Sequence, residues 1–269
     1  MPIVIEAGAW QTFSRADVEL AYADVGDGPD AIVLLHGLAG TAEEWSGTMR
    51  ALRGSHRLVA LDQRGHGRST RRPREVTRDA YVGDVVALLE RVGAPVTLVG
   101  QSMGGHTAML VAAENPGLVR KLVMVEAGVG GAQDDALDGL SRWLHGWPVP
   151  FADRDEFADF FDGTPSAAQA WADGLEIGPG GLLPRWDADV LVEAIRPVLV
   201  MPRWRAWEKV TAPTELVLAE RSLLDAAQVE RMVATRPGIR VRTIAGAGHD
   251  LHLDQPLEWI AALREVVAT

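Results

Sequence analysis

The chain contains no cysteine. Disulfides, thiolate nucleophiles and thiolate metal sites are therefore excluded, and either redox compartment is compatible with the composition. An excess of cations is also missing: 26 Lys and Arg against 37 Asp and Glu leave a formal net charge of −11. A field of that sign disfavours nucleic acid or an anionic membrane as the main partner. No apolar run is long enough to cross a bilayer, and the opening residues, M-P-I-V-I-E-A-G, carry no basic segment of a secretory signal. These absences predict a cytoplasmic protein. Of 269 residues 47% are hydrophobic, enough for one large domain or a domain with an insertion.

The stretch V-T-L-V-G-Q-S-M-G-G-H-T-A-M-L, Val96 to Leu110, organises what is present. Its apolar start reads as a short buried strand, and a helix-compatible run follows Gly100-Gln101-Ser102-Met103-Gly104. Strand, G-x-S-x-G, helix is the pattern of a nucleophile elbow. So tight a turn puts Ser102 in a strained backbone conformation with its hydroxyl outward. Gly100 and Gly104 suit it because side chains there would collide with the neighbouring strand or helix. By itself the pentapeptide also describes an ordinary glycine-rich turn, so its context decides.

Strands are predicted at Trp10 to Ser14, Glu19 to Val25, Ala31 to Leu35 and Arg57 to Leu61. Thr41 can cap a helix that carries Trp45, Met49 and Leu52 on one face, and from Thr77 the residues Tyr81, Val85, Leu88, Leu89 and Val92 recur at helical spacing. Lys121 to Glu126 is another buried strand. From about 130 to 207 the alternation stops, and helical fragments are broken by Gly and Pro. Six of the nine tryptophans lie there: Trp143, Trp147, Trp171, Trp186, Trp204 and Trp207. Glu215 to Ala219 (strand), Leu224 to Ala234 (helix), Ile239 to Ile244 (strand) and Leu257 to Val267 (helix) then resume it. Alternating strands and helices predict an α/β fold with a mostly parallel sheet covered on both faces, and the middle segment is an insertion over one edge. The boundaries read as 1–128 and 208–269 for the core and 129–207 for the insertion. The acidic residues Asp134, Asp135 and Asp138 and the basic loop Arg71 to Arg74 read as solvated surface.

Four markers stand in order: His36-Gly37, Asp62-Gln-Arg-Gly-His-Gly-Arg-Ser69, Gly100-Gln-Ser-Met-Gly104 and Gly246-Ala-Gly-His249. Together they resemble the α/β-hydrolase superfamily over nearly the whole chain outside the insertion. The resemblance implies an eight-stranded sheet with a helical lid after the sixth strand. It also implies Ser102 as nucleophile, His249 as base, and backbone N–H groups of Leu38 and Met103 as the oxyanion hole. A serine hydroxyl needs such a base and a place for negative charge to go. The other histidines read differently. His36, His66 and His106 suit packing, His56 and His145 have no special context, and His252 is the competitor three residues beyond His249.

The acid departs from the common pattern. Most relatives place an aspartate just after the seventh strand, and that position here is Ser222. A hydroxyl cannot stabilise an imidazolium. The superfamily's alternative position, the end of the sixth strand, is Glu126. A strand-end glutamate reaching water and Asp225 on a shifted loop are the competing readings, while Asp250 adjoins His249 in a way that rarely lets side chains face each other. Trp186 and Trp204 are the candidate substrate-contacting tryptophans, although several of the lid tryptophans must form the lid's own core. No cofactor and no metal are expected.

The expected activity is hydrolysis of a carboxylic ester, or of a bulky hydrophobic lactone, through an acyl-enzyme. The order serine, strand-six glutamate, histidine resembles zearalenone-type lactone hydrolases. It is shared with haloalkane dehalogenases, which, like the epoxide hydrolases, use an aspartate nucleophile and are disfavoured by Ser102. A thioesterase, a perhydrolase, a carbon–carbon bond hydrolase and a non-catalytic ligand-binding receptor of the same fold remain open.

Overall fold

A computed structural model describes residues 5–131 and 135–268. Residues 1–4, part of the segment read for a leader, and Asp134 of the acidic run lie outside the described residues. The strands are β1 Trp10–Arg15, β2 Val18–Val25, β3 Ala31–Leu35, β4 Arg57–Leu61, β5 Val96–Gln101, β6 Val119–Val125, β7 Glu176–Gly178, β8 Gly181–Leu183, β9 Thr214–Ala219 and β10 Arg240–Ile244. The helices are α1 Ser46–Leu52, α2 Arg78–Val92, α3 Met103–Glu114, α4 Ala136–His145, α5 Arg154–Phe160, α6 Pro165–Asp173, α7 Ala188–Val200, α8 Trp204–Lys209, α9 Ala226–Thr235, α10 Leu251–Asp254 and α11 Pro256–Val267.

Eight strands form one sheet in the order β1-β2-β4-β3-β5-β6-β9-β10, while β7 and β8 form a separate hairpin. Pairing is antiparallel from β1 to β2 and from β2 to β4, and parallel from there to β10. This is the α/β-hydrolase fold with a helical insertion. The apolar runs of β3, β5 and β9 are buried throughout, as strands with both faces covered must be. On one face the core joins α2, α3 and Trp207, and on the other Trp45 and Trp259 pack with Leu34, Val99 and Val217.

Most elements fall where the residue pattern puts them, within a residue or two. Two differences have local causes. The helix read from Thr41 opens as a tight turn over Ala42–Trp45, held by a reciprocal cap between Thr41 and Glu44, before α1 begins. The helix read from Leu224 starts at Ala226 because the Asp225 carboxylate accepts from the Ala227 N–H at 3.2 Å.

The insertion contributes α4 to α7 and the hairpin, none of them in the main sheet. Its core is aromatic, with Trp147 edge-on to Trp186 at 4.9 Å and packed with Phe151 and Phe157. The basic loop is more than solvated surface: Arg71 pairs with Glu176 and Arg72 with Asp187, so two charges fasten the insertion to the loop after β4. That loop is itself anchored by Arg64, whose guanidinium meets the buried Asp84 carboxylate of α2 at 2.6 and 2.7 Å.

Close backbone approach fixes the elbow between β5 and α3. A Cβ on Gly100 would lie 2.3 Å from the Gly104 carbonyl oxygen, and one on Gly104 would lie 2.5 Å from the carbonyl oxygens of Leu35 and His36. Gly100→Ala is therefore expected to cost about 3 kcal/mol or more of stability by urea denaturation, because rigid backbone rather than a flexible side chain must yield. A loss below about 1 kcal/mol would show that the elbow can open without strain.

Candidate active site

Ser102 sits between β5 and α3 with φ +49° and ψ −116°, a conformation costly for a residue with a side chain. The backbone is tied on both sides: the Ser102 N–H donates to the Val125 carbonyl at 2.9 Å, and the His106 N–H donates to the Ser102 carbonyl at 3.0 Å. The hydroxyl faces a cavity of about 1020 Å³. Leu38, Met103, Glu126 and His249 line the same cavity. Gly37 lets the Leu38 loop approach, since a Cβ there would fall 2.1 Å from the Gln101 side-chain oxygen and 3.4 Å from the Ser102 Cβ. Met103 opens α3, where unpaired N–H groups and the helix dipole favour negative charge.

Glu126 immediately follows β6 with φ +46° and is 1% exposed. The turn folds its carboxylate back over the strand ends. Oε1 accepts from the Ala219 N–H at 2.7 Å and Oε2 from the Leu223 N–H at 3.2 Å. His249 Nδ1 lies 3.4 Å from Oε2. Burial alone would raise the Glu126 pKa, but His249, the Ala219 N–H and the Ser222 hydroxyl hold it below the ordinary value. Ser222, at the position where most relatives place an aspartate, thus favours the charged form of Glu126 on the neighbouring strand.

His249 is pulled both ways: burial favours the neutral ring, while Glu126, Asp250 and Glu44 favour the cation. The balance raises its pKa above 6.5. Its loop is held by Gln101, whose side-chain N–H₂ donates to the His249 carbonyl at 3.1 Å and to Asp250 Oδ1 at 3.3 Å. Trp171 of α6 donates its indole N–H to Asp250 Oδ2 at 3.0 Å. Asp250 therefore acts on His249 through the loop and its charge rather than as a face-to-face partner. Neither Gln101 nor Trp171 carries a sequence signal beyond membership of the G-x-S-x-G pattern and of the tryptophan-rich segment.

The remaining candidates are placed as follows. His252 points into the core, stacked on Trp45 at 4.4 Å, with its pKa pushed down to about 4 by burial. His36 staples two loops, accepting the Gln63 N–H at Nε2 (3.0 Å) and donating from Nδ1 to the Gly37 carbonyl (2.7 Å). His66 packs beside it at 4.9 Å between ring centroids. Asp225 caps α9 and is exposed at the cavity rim. Trp186 and Trp204 differ from expectation, because neither lines the large cavity. Trp186 is spent in the lid's own core, and Trp204 packs on the main core beneath the Arg231 guanidinium, 3.8 Å from its ring. Trp143 and Trp171 line the cavity instead. His106, read as packing, is also in its wall. Among the described residues no cluster of three or more metal-ligating side chains is present.

A protein-family model described as "Alpha/beta hydrolase family" matches residues 32–263, so the chain belongs to that family and is a hydrolase of the α/β fold. It is similar to the sn-1-specific diacylglycerol lipase ABHD11 of Mus musculus, 27% identical over 256 residues that cover 88% of this chain and 81% of that one. It is also similar to 2-(acetamidomethylene)succinate hydrolase of Mesorhizobium japonicum, 26% identical over 242 residues, 86% of this chain and 85% of the other. Among solved structures, E-2-(acetamidomethylene)succinate hydrolase superposes with a TM-score of 0.85 at 24% identity, over 96% of this chain and 100% of that one. The enol-lactonase from Burkholderia xenovorans LB400 gives 0.80 at 17% identity, over 96% and 100%.

If His249 is the general base, it must be neutral to accept a proton, so its raised pKa puts the acid limb of kcat/KM above pH 6.5. Glu126→Gln removes the charge that stabilises the imidazolium. The limb is expected to move to lower pH while kcat falls by on the order of 10³-fold or more. Asp225→Asn should leave kcat within about threefold, because an asparagine still caps the helix. A pH–rate series on the three proteins checks this, and near-native turnover by the Glu126 variant would remove the acid from that strand.

Proposed function

We propose that the protein is a serine hydrolase of carboxylic esters, with a bulky hydrophobic ester or lactone as substrate. The observation that carries this reading is the alignment of His249 Nδ1 on a buried, ionised Glu126 in the wall of the cavity that holds Ser102. Ser102 attacks the ester carbonyl, and His249 takes its proton as the tetrahedral intermediate forms. The oxyanion points at the N–H groups of Leu38 and Met103, an interaction type worth about 2.7–4 kcal/mol per donor. His249 then protonates the departing alkoxide, leaving an acyl-enzyme. Water enters, gives a proton to His249 and attacks the acyl carbonyl; as the second tetrahedral intermediate collapses and releases the acid, His249 returns that proton to the departing Ser102 oxygen. Glu126 stays ionised throughout and stabilises the cation on His249.

A lactone ring or other bulky acyl group suits a wide cavity walled by Leu140, Trp143, Phe161, Trp171 and Ile195. An enol-lactonase among the structural neighbours is in keeping with it. A non-catalytic receptor is disfavoured because an acid is available although the usual aspartate is absent.

Ser102 is expected to react stoichiometrically with a fluorophosphonate and to turn over p-nitrophenyl butyrate with an initial burst. Ser102→Ala should lower kcat by about 10⁴-fold or more. Intact mass and stopped-flow absorbance read both. An unlabelled Ser102 together with no turnover of aryl esters or lactones would overturn the proposal, and cleavage of a thioester or vinylogous diketone in preference to the oxygen ester would change the bond assigned.

A further inference from the structure

His106 lies one helical turn after Ser102 and lines the same cavity, yet it is 1% exposed and neither ring nitrogen has a partner in hydrogen-bond geometry. Unsatisfied polar atoms this deeply buried are uncommon and call for a reason. Behind it stands Arg78, the first residue of α2, 2% exposed. One of its terminal nitrogens reaches the Thr107 hydroxyl, and its guanidinium carbon lies 4.5 Å from the Tyr81 ring centroid. Its Nε and other terminal nitrogen have no partner. Among the described residues no carboxylate pairs with it, and none is among the charges that act on Arg78 or His106.

Arg203 completes the group. Its backbone N–H donates to the Val129 carbonyl at 2.7 Å, next to Gly130. A Cβ on Gly130 would lie 3.3 Å from His106 Nε2. Arg203 acts on both Arg78 and His106, and its buried Nε is likewise unpartnered. Burial, Arg78 and Arg203 keep the His106 ring neutral, with its pKa well below the ordinary value despite the Val129 carbonyl. A neutral imidazole offers one N–H donor.

A desolvated guanidinium without a counter-ion is costly, and the cost is recovered when an anion arrives. We propose that this corner of the cavity is an anion subsite, in which the His106 ring donates to a carboxylate on the substrate and Arg78 supplies the compensating charge from behind. The proposal rests on the reading of the Ser102 cavity as the substrate site. One carboxylate fits better than a phosphate dianion. Only Arg78 is fully buried, Arg203 is partly hydrated, and His106 is uncharged. The rest of the cavity supports an oriented ligand. Glu126 and Asp250 gather around His249 and repel an anion from that side. Asp135, Asp162 and Asp225 reach the cavity only as exposed residues, where water and salt screen them. The substrate class is thus an ester or lactone whose acyl part carries a carboxylate at its far end.

The test uses two pairs that differ only in that carboxylate. Monomethyl adipate and methyl hexanoate report turnover. Adipamate and hexanamide report binding without an ester bond, through the fluorescence of Trp143 and Trp171 in the cavity wall. Wild-type protein is expected to bind adipamate at least about tenfold more tightly than hexanamide and to show a similar preference in kcat/KM, expressed in KM. Arg78→Met and His106→Phe should each abolish most of that preference. A far-UV circular dichroism spectrum and urea midpoint matching the wild type would show that each variant is folded. If Arg78→Met fails to fold, His106→Phe decides. Equal binding of the two amides by the wild type, or a preference that survives both substitutions, overturns the subsite. Because the binding arm needs no catalysis, failure of ester turnover would count against the proposed activity and leave this inference standing or falling on the amides.

Discussion

Everything in the site depends on the absence of Cβ atoms where β5 turns into α3. Gly100 and Gly104 let β5, the start of α3 and the loop after β3 approach to backbone contact. That approach holds Ser102 in its positive-φ conformation and brings the Leu38 and Met103 segments to one cavity. It also aligns the elbow with the neighbouring strand through the Ser102 N–H to the Val125 carbonyl. Strain at Ser102 is stable only because so many contacts over-determine it. A larger residue at either glycine would move Ser102 and the Leu38 and Met103 segments together, not one at a time.

The next strand repeats the device. Glu126 is again a positive-φ residue just past the end of a parallel strand, one position further along the chain than Val125, which holds the elbow. Its backbone N–H donates to the Val217 carbonyl at 2.9 Å, while its carboxylate takes the N–H of Ala219, the last residue of β9, and that of Leu223 in the loop beyond. A carboxylate so supplied with donors stays ionised despite complete burial. The strand-nine loop therefore serves the site through its backbone and the Ser222 hydroxyl. The charge can sit on either of two adjacent strands because both carboxyl ends open on the same face.

The strands and most helices were legible because their signals are local: buried runs such as Ile32 to Leu35 and the Tyr81, Val85, Leu88, Leu89 stripe on α2. The placement of Ser102, Glu126 and His249 at one cavity was foreshadowed because Ser102 and Glu126 follow directly on the ends of β5 and β6 and His249 lies in the loop after β10. What the tryptophans do was not. A helix fragment of six to ten residues does not announce which face turns inward, and Trp204 and Trp207 sit on α8, only six residues long. Their environment is decided by α3 and α9, far away in the chain: Trp207 donates to the Met232 carbonyl at 3.1 Å. The same holds for His106. Its i+4 relation to Ser102 was readable, but the company of Arg78 and Arg203 comes from elements 28 residues before it and 97 after it.

Distribution of charge explains why the cavity has two characters. Carboxylates collect around His249, where they favour its cationic form, and they do so from three different segments: Glu44, Glu126 and Asp250. Glu44, buried beside Asp250, has its pKa raised well above the ordinary value. Hydrogen bonds decide which of them remains charged. Glu126 has His249, the Ala219 N–H and the Ser222 hydroxyl to lower it, whereas burial and Asp250 dominate at Glu44, which has the Thr41 N–H and His249 on the other side. One carboxylate is therefore tuned to ionise more readily than usual and a neighbour to hold its proton more tightly. Trp171 then matters beyond shape, since its indole N–H on Asp250 links the lid to the loop that carries His249. A shift of α6 must break that bond or move the loop with it, so the insertion and the His249 loop are mechanically coupled.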